Sequence, residues 1–341
     1  MQVNAKKSHV WATTIGFRTA LSGTCVIEGE VIPLLTEERY LGAYLSYGHR
    51  RARTRLSRTL ADCQKLCQRI QMTQLPLEAR AVLVSSLVIP KATYASAACA
   101  SNKKDLRAPR AACTRAVWGL GQPWRSNEIV FSLFAKGHVC DPVQADPYRV
   151  LITARQVLAR HPETWGMYTE VWERRWLDAS CPRTGGPVAA IMQACRTNKI
   201  EMPNPGQLVS YSYEGQASEM SITSSEKGKY EHFVRDALRQ EEWWRLDIRR
   251  RSFDRVRQGI DRPATLTLQN RLNGLDKYRW RCILAGAVAT MTRLHRNGQV
   301  DSPLCLACAL REEETSEHIF ARCPAYEHIR SRSMFVLESI T

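Results

Sequence analysis

Lysine, acidic residues and long apolar runs are all scarce in this chain. Lysine supplies 11 of the 49 basic side chains and arginine the other 38. Asp and Glu number only 33, which leaves a formal net charge of +16. A surplus of that size attracts polyanions, with nucleic acid first among them. Arginine suits such a partner because its planar fork matches phosphate and base edges and stacks on bases. A GC-rich coding sequence would raise arginine as well, and composition does not separate the two causes. No run reaches the roughly 18 to 20 apolar residues of a membrane span, and residues 1–20 lack a signal-peptide core. Twelve cysteines are mostly isolated in the sequence, which suits a reducing compartment. The expectation is a soluble, intracellular protein of nucleus or cytoplasm, with no membrane partner.

Catalytic signatures are missing too. The chain has no G-x4-G-K-[ST], no H-E-x-x-H, no G-x-S-x-G and no nuclease-type carboxylate and lysine pattern. Asp141 and Asp146 each precede proline and read as turn residues, not as a carboxylate dyad. No catalytic residue is assigned.

What is present is sharpest near the carboxyl end, where Cys305, Cys308, His318 and Cys323 form C-x2-C-x9-H-x4-C. Two tight ligand pairs joined by a loop can close a tetrahedral shell around zinc within one short segment. With all four positions filled by protein, the metal would be structural and not hydrolytic. Cys305 and Cys308 could instead be a redox pair, but Pro303 and Leu304 lead into them and a charged loop follows, unlike a thioredoxin-type setting. Nearby His295, Cys282 and His328 read as a helix-face histidine, a core cysteine and a surface histidine.

The pattern along the chain predicts a mainly α fold with a small strand-rich amino-terminal part, an α+β arrangement. Residues 1–48 alternate polar and apolar positions in short runs, as strands do. Residues 49–120 read as a helical bundle. Leu56, Leu60, Cys63, Cys67 and Ile70 share one helix face, and Arg51, Arg55, Arg58, Lys65 and Arg69 lie largely off it. Leu75-Pro76-Leu77 restarts the helix, Pro90 kinks it, and Gly119 caps a third helix that begins near Lys104.

Residues 121–196 give further helices, with Trp165, Trp172 and Trp176 read as core before base-stacking surface. Residues 197–228, rich in Pro, Gly, Ser, Asn and Glu, read as a flexible linker. Residues 229–300 form a basic helical region in which Arg245, Arg249, Arg250, Arg251, Arg255, Arg257 and Arg262 outnumber Asp247, Asp254 and Asp261. The competing readings are a phosphate-contacting surface and a solvated face balanced by local ion pairs. One more helix over residues 275–299 leads into the zinc module at 301–333.

Several of these residues resemble a known family. Cys305, Cys308, Glu314-Thr315-Ser316-Glu317-His318 and Cys323-Pro324 are similar to the zinc-binding tail of LINE-type (non-LTR) retrotransposon reverse transcriptases. Val3-Asn4 with Lys7-Ser8, and then Tyr40-Leu41-Gly42, resemble a palm strand and the hairpin that supports the primer end. Leu75-Pro76-Leu77, Arg80, Ile89-Pro90, Tyr94 and Val117-Trp118-Gly119 resemble the thumb in order. The likeness covers residues 1–120 and 275–330 and is faint between them.

The resemblance implies an RNA-directed DNA polymerase ancestry and RNA or DNA as partner. Zinc would be the cofactor of this chain, and Mg²⁺ only that of the complete parent enzyme. It implies nucleic-acid contacts at Lys7, Tyr40, Leu41, Gly42 and the basic helices. Lys7 has a catalytic counterpart in the family, but its plain reading is an exposed basic residue near a strand. The departure is decisive for chemistry, because the family's polymerisation needs metal-bound aspartates and this chain contains no Asp-Asp pair. The expectation is a nucleic-acid-binding carboxyl-terminal portion that is not an enzyme as it stands, with the missing palm and fingers as a candidate partner. A zinc-stabilised protein-interaction module, or a decayed element, are the rival readings.

Overall fold

The computed structural model describes residues 8–12, 15–35, 37–40, 43–46, 53–94, 96–98, 103–119, 124–177, 186–250, 253 and 256–331. Helices dominate, as expected, and seven short strands are present among the described residues. The chain forms two compact units. One comprises Met1–Gly119 with Phe134–Glu242, the other Leu120–Leu133 with Trp243–Thr341. This differs from the six consecutive segments expected from sequence, because each unit draws on two separate stretches of chain.

The first unit begins with α1 (Ile15–Leu21), where strands alone were expected. Two small antiparallel hairpins follow. Strand β1 (Val26–Ile27) pairs with β2 (Glu30–Val31) through a turn with positive φ at Glu28 and Gly29. Strand β3 (Glu37–Tyr40) pairs with β4 (Ala43–Ser46), with Tyr40 opposite Ala43.

Helix α2 (Arg53–Gln71) buries Leu60, Cys63, Cys67 and Ile70, the face that its periodicity predicts. Helix α3 (Leu77–Leu83) starts just after Pro76 and runs through a π turn, Val84–Val88, into α4 (Ile89–Ala92). Pro90 accounts for that turn. It has no N–H for the Ser86 carbonyl and its ring crowds that oxygen, so the helix widens immediately before it. The hydroxyls of Ser85 and Ser86 donate to the Val82 carbonyl at 2.8 and 2.9 Å.

Helix α5 (Lys103–Trp118) packs along α2, with Cys67 and Cys113 Sγ atoms 3.7 Å apart between them. It ends at Gly119, whose φ of 92° and N–H to Arg115 O at 2.8 Å close the last turn. Arg80 Nη2 donates to Trp118 O at 2.8 Å, so two positions 38 residues apart in sequence meet at this cap.

The chain then passes through α6 (Asn127–Ile129) and a π turn (Val130–Phe134) to α7 (Gly137–Cys140) and α8 (Pro142–Arg160). Asp141 is not a turn residue but the N-cap of α8, accepting from Val143 N at 3.0 Å. Asp146 lies inside α8, buried, and accepts a 2.5 Å hydrogen bond from Ser96 Oγ. A further staple joins α5 and α8 to a later helix. Arg110 Nη2 lies 2.8 Å from Asp141 Oδ2 and 2.5 Å from Glu242 Oε2, and both carboxylates are fully shielded.

Helices α9 (Trp165–Leu177) and α10 (Pro187–Thr197) lead to three antiparallel strands, β5 (Glu201–Asn204), β6 (Gln207–Tyr211) and β7 (Ala217–Ser221), in the order β5-β6-β7. This sheet overturns the expected flexible linker at 197–228. Ile200, Met202, Leu208 and Ile222 are buried in one apolar cluster with Leu151, Ala154, Trp172, Ile191, Tyr230 and Leu238. Burying that many side chains fixes a segment whatever its share of turn formers. Trp172 lies in this core and Trp165 packs on it, in line with the core reading, while the Trp176 side chain lies outside the description.

Helix α11 (Lys227–Arg249) closes the cluster with Tyr230, Phe233, Val234, Ala237 and Leu238, and its residues from Trp243 onward belong to the second unit. The expected basic helix stops there at Arg249. In the second unit Ser126 N donates to Ala285 O at 2.8 Å and Trp243 Nε1 to Ser132 Oγ at 3.1 Å. The single helix expected at 275–299 is two, α13 (Gly274–Leu284) and α14 (Met291–Arg296), preceded by α12 (Arg262–Arg271). Gly286 breaks the run with φ of 61°, and Phe253 stands where its Cβ would point. None of the described helices is long and apolar enough to cross a membrane.

Candidate functional site

The four residues of the carboxyl-terminal motif converge. Their ligand atoms all lie within 4.8 Å of one another. Cys305 and Cys323 Sγ are 3.9 Å apart, and Cys308 Sγ is 3.4 Å from His318 Nε2. Two thiolates each about 2.3 Å from a tetrahedral zinc sit about 3.8 Å apart, and a thiolate and an imidazole nitrogen about 3.5 Å apart. A disulfide would need about 2.05 Å. His318 and Cys323 are 0 % exposed and Cys305 5 %, so three of the four donors are already out of water. This donor set can hold a metal ion such as zinc.

Local structure explains the convergence. Leu304 and Glu313 form an antiparallel bridge, and Cys305 N donates to Glu312 O at 2.9 Å, so Cys305 and Cys308 sit at the tip of a short hairpin. The Cys305 thiol is pushed up to about 11, chiefly by burial, against the lowering pull of the Ala307 and Cys308 N–H groups directed at its sulfur. A bound dication adds to that pull and favours the thiolate. Glu314 ties the hairpin to α14, its Oε1 accepting from Met291 N at 3.0 Å and its carbonyl from Thr292 Oγ1 at 3.0 Å. Thr315 Oγ1 accepts from His318 N at 3.1 Å and so starts the turn that carries the histidine. Cys323 N donates to His318 O, which fixes the second ligand pair. His318 Nδ1, the nitrogen away from the cysteines, lies 3.0 Å from Glu312 Oε2. Cys282 is buried and His328 exposed, as the sequence suggested, and His295 lies on α14.

The basic residues named from sequence fare unevenly. Lys7, Leu41, Gly42, Arg51, Arg251 and Arg255 lie outside the described residues, and the side chains of Tyr40, Arg55 and Arg58 are not described. Lys65 and Arg69 are exposed on α2. Three members of the 245–257 cluster have partners within the fold. Arg249 Nη2 binds the buried Glu128 at 2.8 Å, Arg250 donates to the carbonyls of Trp124 and Arg125, and Arg257 pairs with Asp247 at 3.2 Å. Arg245 is half-buried and is engaged as well. Arginine is abundant here partly because five donors on a planar fork can satisfy buried carbonyls and carboxylates. Arg80, Arg110, Arg155 and Arg293 do the same.

Exposed cations also lie on the α2–α5 pair. Lys65, Arg69, Arg107 and Arg115 are exposed, and none makes a hydrogen bond or ion pair with another described residue. Sequence reading missed Arg107 and Arg115. Their signal was the charge density of the segment, since residues 49–120 hold 14 Lys and Arg against three Asp and Glu. That surplus of 11 is most of the chain's +16.

No known family, curated protein or solved structure matches this chain.

Proposed function

We propose that this chain binds nucleic acid through the basic α2–α5 surface and carries a structural zinc ion in its carboxyl-terminal hairpin. The observation that carries the reading is the set of exposed cations at Lys65, Arg69, Arg107 and Arg115, in a segment with 14 basic and three acidic residues. Unpaired surface cations gain little for folding. They gain much when they displace condensed counterions from a phosphate backbone. The order of thumb-like and tail-like residues favours descent from the carboxyl-terminal part of a non-LTR retrotransposon reverse transcriptase. On that reading the chain holds template, primer or target strands and does no polymerisation by itself. Zinc would be held by Cys305, Cys308, His318 and Cys323, where its closed shell orders the tail.

The test is fluorescence anisotropy with a labelled RNA–DNA duplex, comparing the wild type with a variant carrying Lys65, Arg69, Arg107 and Arg115 all as Ala. A loss of at least tenfold is expected. Equal affinity would remove the α2–α5 surface from the interface.

A second reading has its own support in the second unit, where Ile248, Leu275, Leu306, Leu310 and Ile329 are all more than half exposed. Apolar side chains in that number suit a protein partner. A bound protein that excess RNA or DNA fails to displace would favour this alternative.

A further inference from the structure

The metal-binding segment contains three consecutive glutamates, Glu312, Glu313 and Glu314, between its two ligand pairs. They are chemically alike but differently placed. Cys305 pairs with Glu312 and Leu304 with Glu313 across the hairpin, so successive side chains alternate between its faces. Glu312 thereby turns toward the ligand cluster and Glu313 away from it. Glu314 is already engaged at the start of α14.

We infer that Glu312 is the positioning residue of the metal site. It holds His318 in the tautomer and ring orientation that present Nε2 to the ion. The inference rests on the reading that the cluster binds zinc. His318 is 0 % exposed, so its second ring nitrogen has no water to satisfy it. Glu312 Oε2 lies 3.0 Å from that nitrogen, Nδ1, and Nε2 lies on the cysteine side, 3.4 Å from Cys308 Sγ. A carboxylate at Nδ1 keeps the proton there and leaves Nε2 with a free lone pair. It also makes the imidazole a better donor by accepting its N–H. Without it the ring can rotate or change tautomer, and part of the apo population presents a protonated nitrogen to the metal. Glu313 has no such role. The acidic run is therefore divided into one residue that orients a ligand, one that faces solvent, and one that docks the hairpin on α14.

The experiment uses the full chain and zinc as probe, with affinity read by competition against a chelating dye. Glu312→Ala should weaken zinc binding by about 10 to 100-fold, the range in which outer partners of metal-bound histidines act. Glu312→Gln keeps an acceptor but loses the charge and should recover part of the loss, whereas Glu313→Ala should match the wild type. A spectroscopic signature separates positioning from bulk stability. In the zinc-loaded wild type, ¹⁵N shifts of the His318 ring should show a protonated Nδ1 and a metal-bound Nε2, and Glu312→Ala should blur that assignment. If Glu312→Ala binds zinc within twofold of wild type while Cys308→Ala abolishes binding, the inference is wrong and the zinc reading stands. If the wild type itself takes up no zinc, both fall.

Discussion

Arg110 is the residue whose loss should cost the first unit most. One guanidinium nitrogen on α5 reaches Asp141 at the start of α8 at 2.8 Å and Glu242 on α11 at 2.5 Å. The two carboxylate side chains are 0 % and 2 % exposed, and Arg110 itself 11 %. Replacing Arg110 by Met keeps the apolar stem and removes the only charge that this trio sets against two buried anions. Breaking a buried pair from one side typically costs about 3 to 5 kcal/mol, because the remaining charge stays desolvated. Here two carboxylates lose their shared cation, although Asp141 keeps the Val143 N–H. A loss of about 4 kcal/mol is expected, a large fraction of the roughly 5 to 15 kcal/mol that holds a domain together. Urea denaturation followed by far-ultraviolet circular dichroism measures it. Arg110→Lys should recover part of the loss, since it restores the charge on a shorter, more strongly hydrated head group. The triple change Arg110→Met, Asp141→Asn and Glu242→Gln should be more stable than Arg110→Met alone. A loss under about 1 kcal/mol for Arg110→Met would refute the staple.

Other outcomes follow from the same structure. Gly119→Ala should destabilise by about 1 to 2 kcal/mol in thermal melts, because φ is 92° and the added Cβ would meet the Arg80 guanidinium that caps α5; an unchanged melting temperature would remove the cap from the fold's essentials. Cys308→Ala, or chelation of the wild type, should open residues 301–331 to protease while α2 and α5 stay protected, and a resistant tail would count against a metal-ordered fold. Burial pushes the Cys63 thiol up to about 11 and those of Cys140 and Cys195 up to about 12, so a thiol reagent at pH 8 should leave all three unmodified in the folded protein. Those raised values also set a sign for stability. The unfolded thiols lose protons near pH 9 and the folded ones only near 11 to 12, so stability should fall as pH rises through that window, and a flat profile from pH 8 to 11 would contradict it.

The legibility of this fold in its sequence depended on how local the cause was. Helices α2 and α5 were readable because their buried positions recur at helical spacing within one segment, as Leu60, Cys63, Cys67 and Ile70 do. The ligand set was readable for the same reason, since four donors within 19 residues need only a hairpin and a turn to meet. The β5–β7 sheet was not, because Pro203 argues against a strand and Pro205 and Gly206 mark a turn whether or not the strands beside it are buried. What buries Leu208 and Ile222 is α8, α10 and α11, which lie elsewhere in the chain. The internal contacts of Arg249 and Arg250 could not be found by counting nearby aspartates. Their partners, Glu128 and the carbonyls of Trp124 and Arg125, lie about 120 residues earlier, where no charge pattern could reveal them.

The most direct test of the proposed function is the salt dependence of binding to a short RNA–DNA duplex, measured for the wild type and for the variant with Lys65, Arg69, Arg107 and Arg115 as Ala. Each phosphate neutralised contributes about 0.9 to the slope of log K against log salt for a B-form duplex. Four lost contacts should therefore flatten that slope by about 3 to 4. A steep wild-type slope that flattens by this amount is the predicted result; a slope that is shallow from the start, or steep and unchanged in the variant, would contradict the assignment of the α2–α5 surface to nucleic acid.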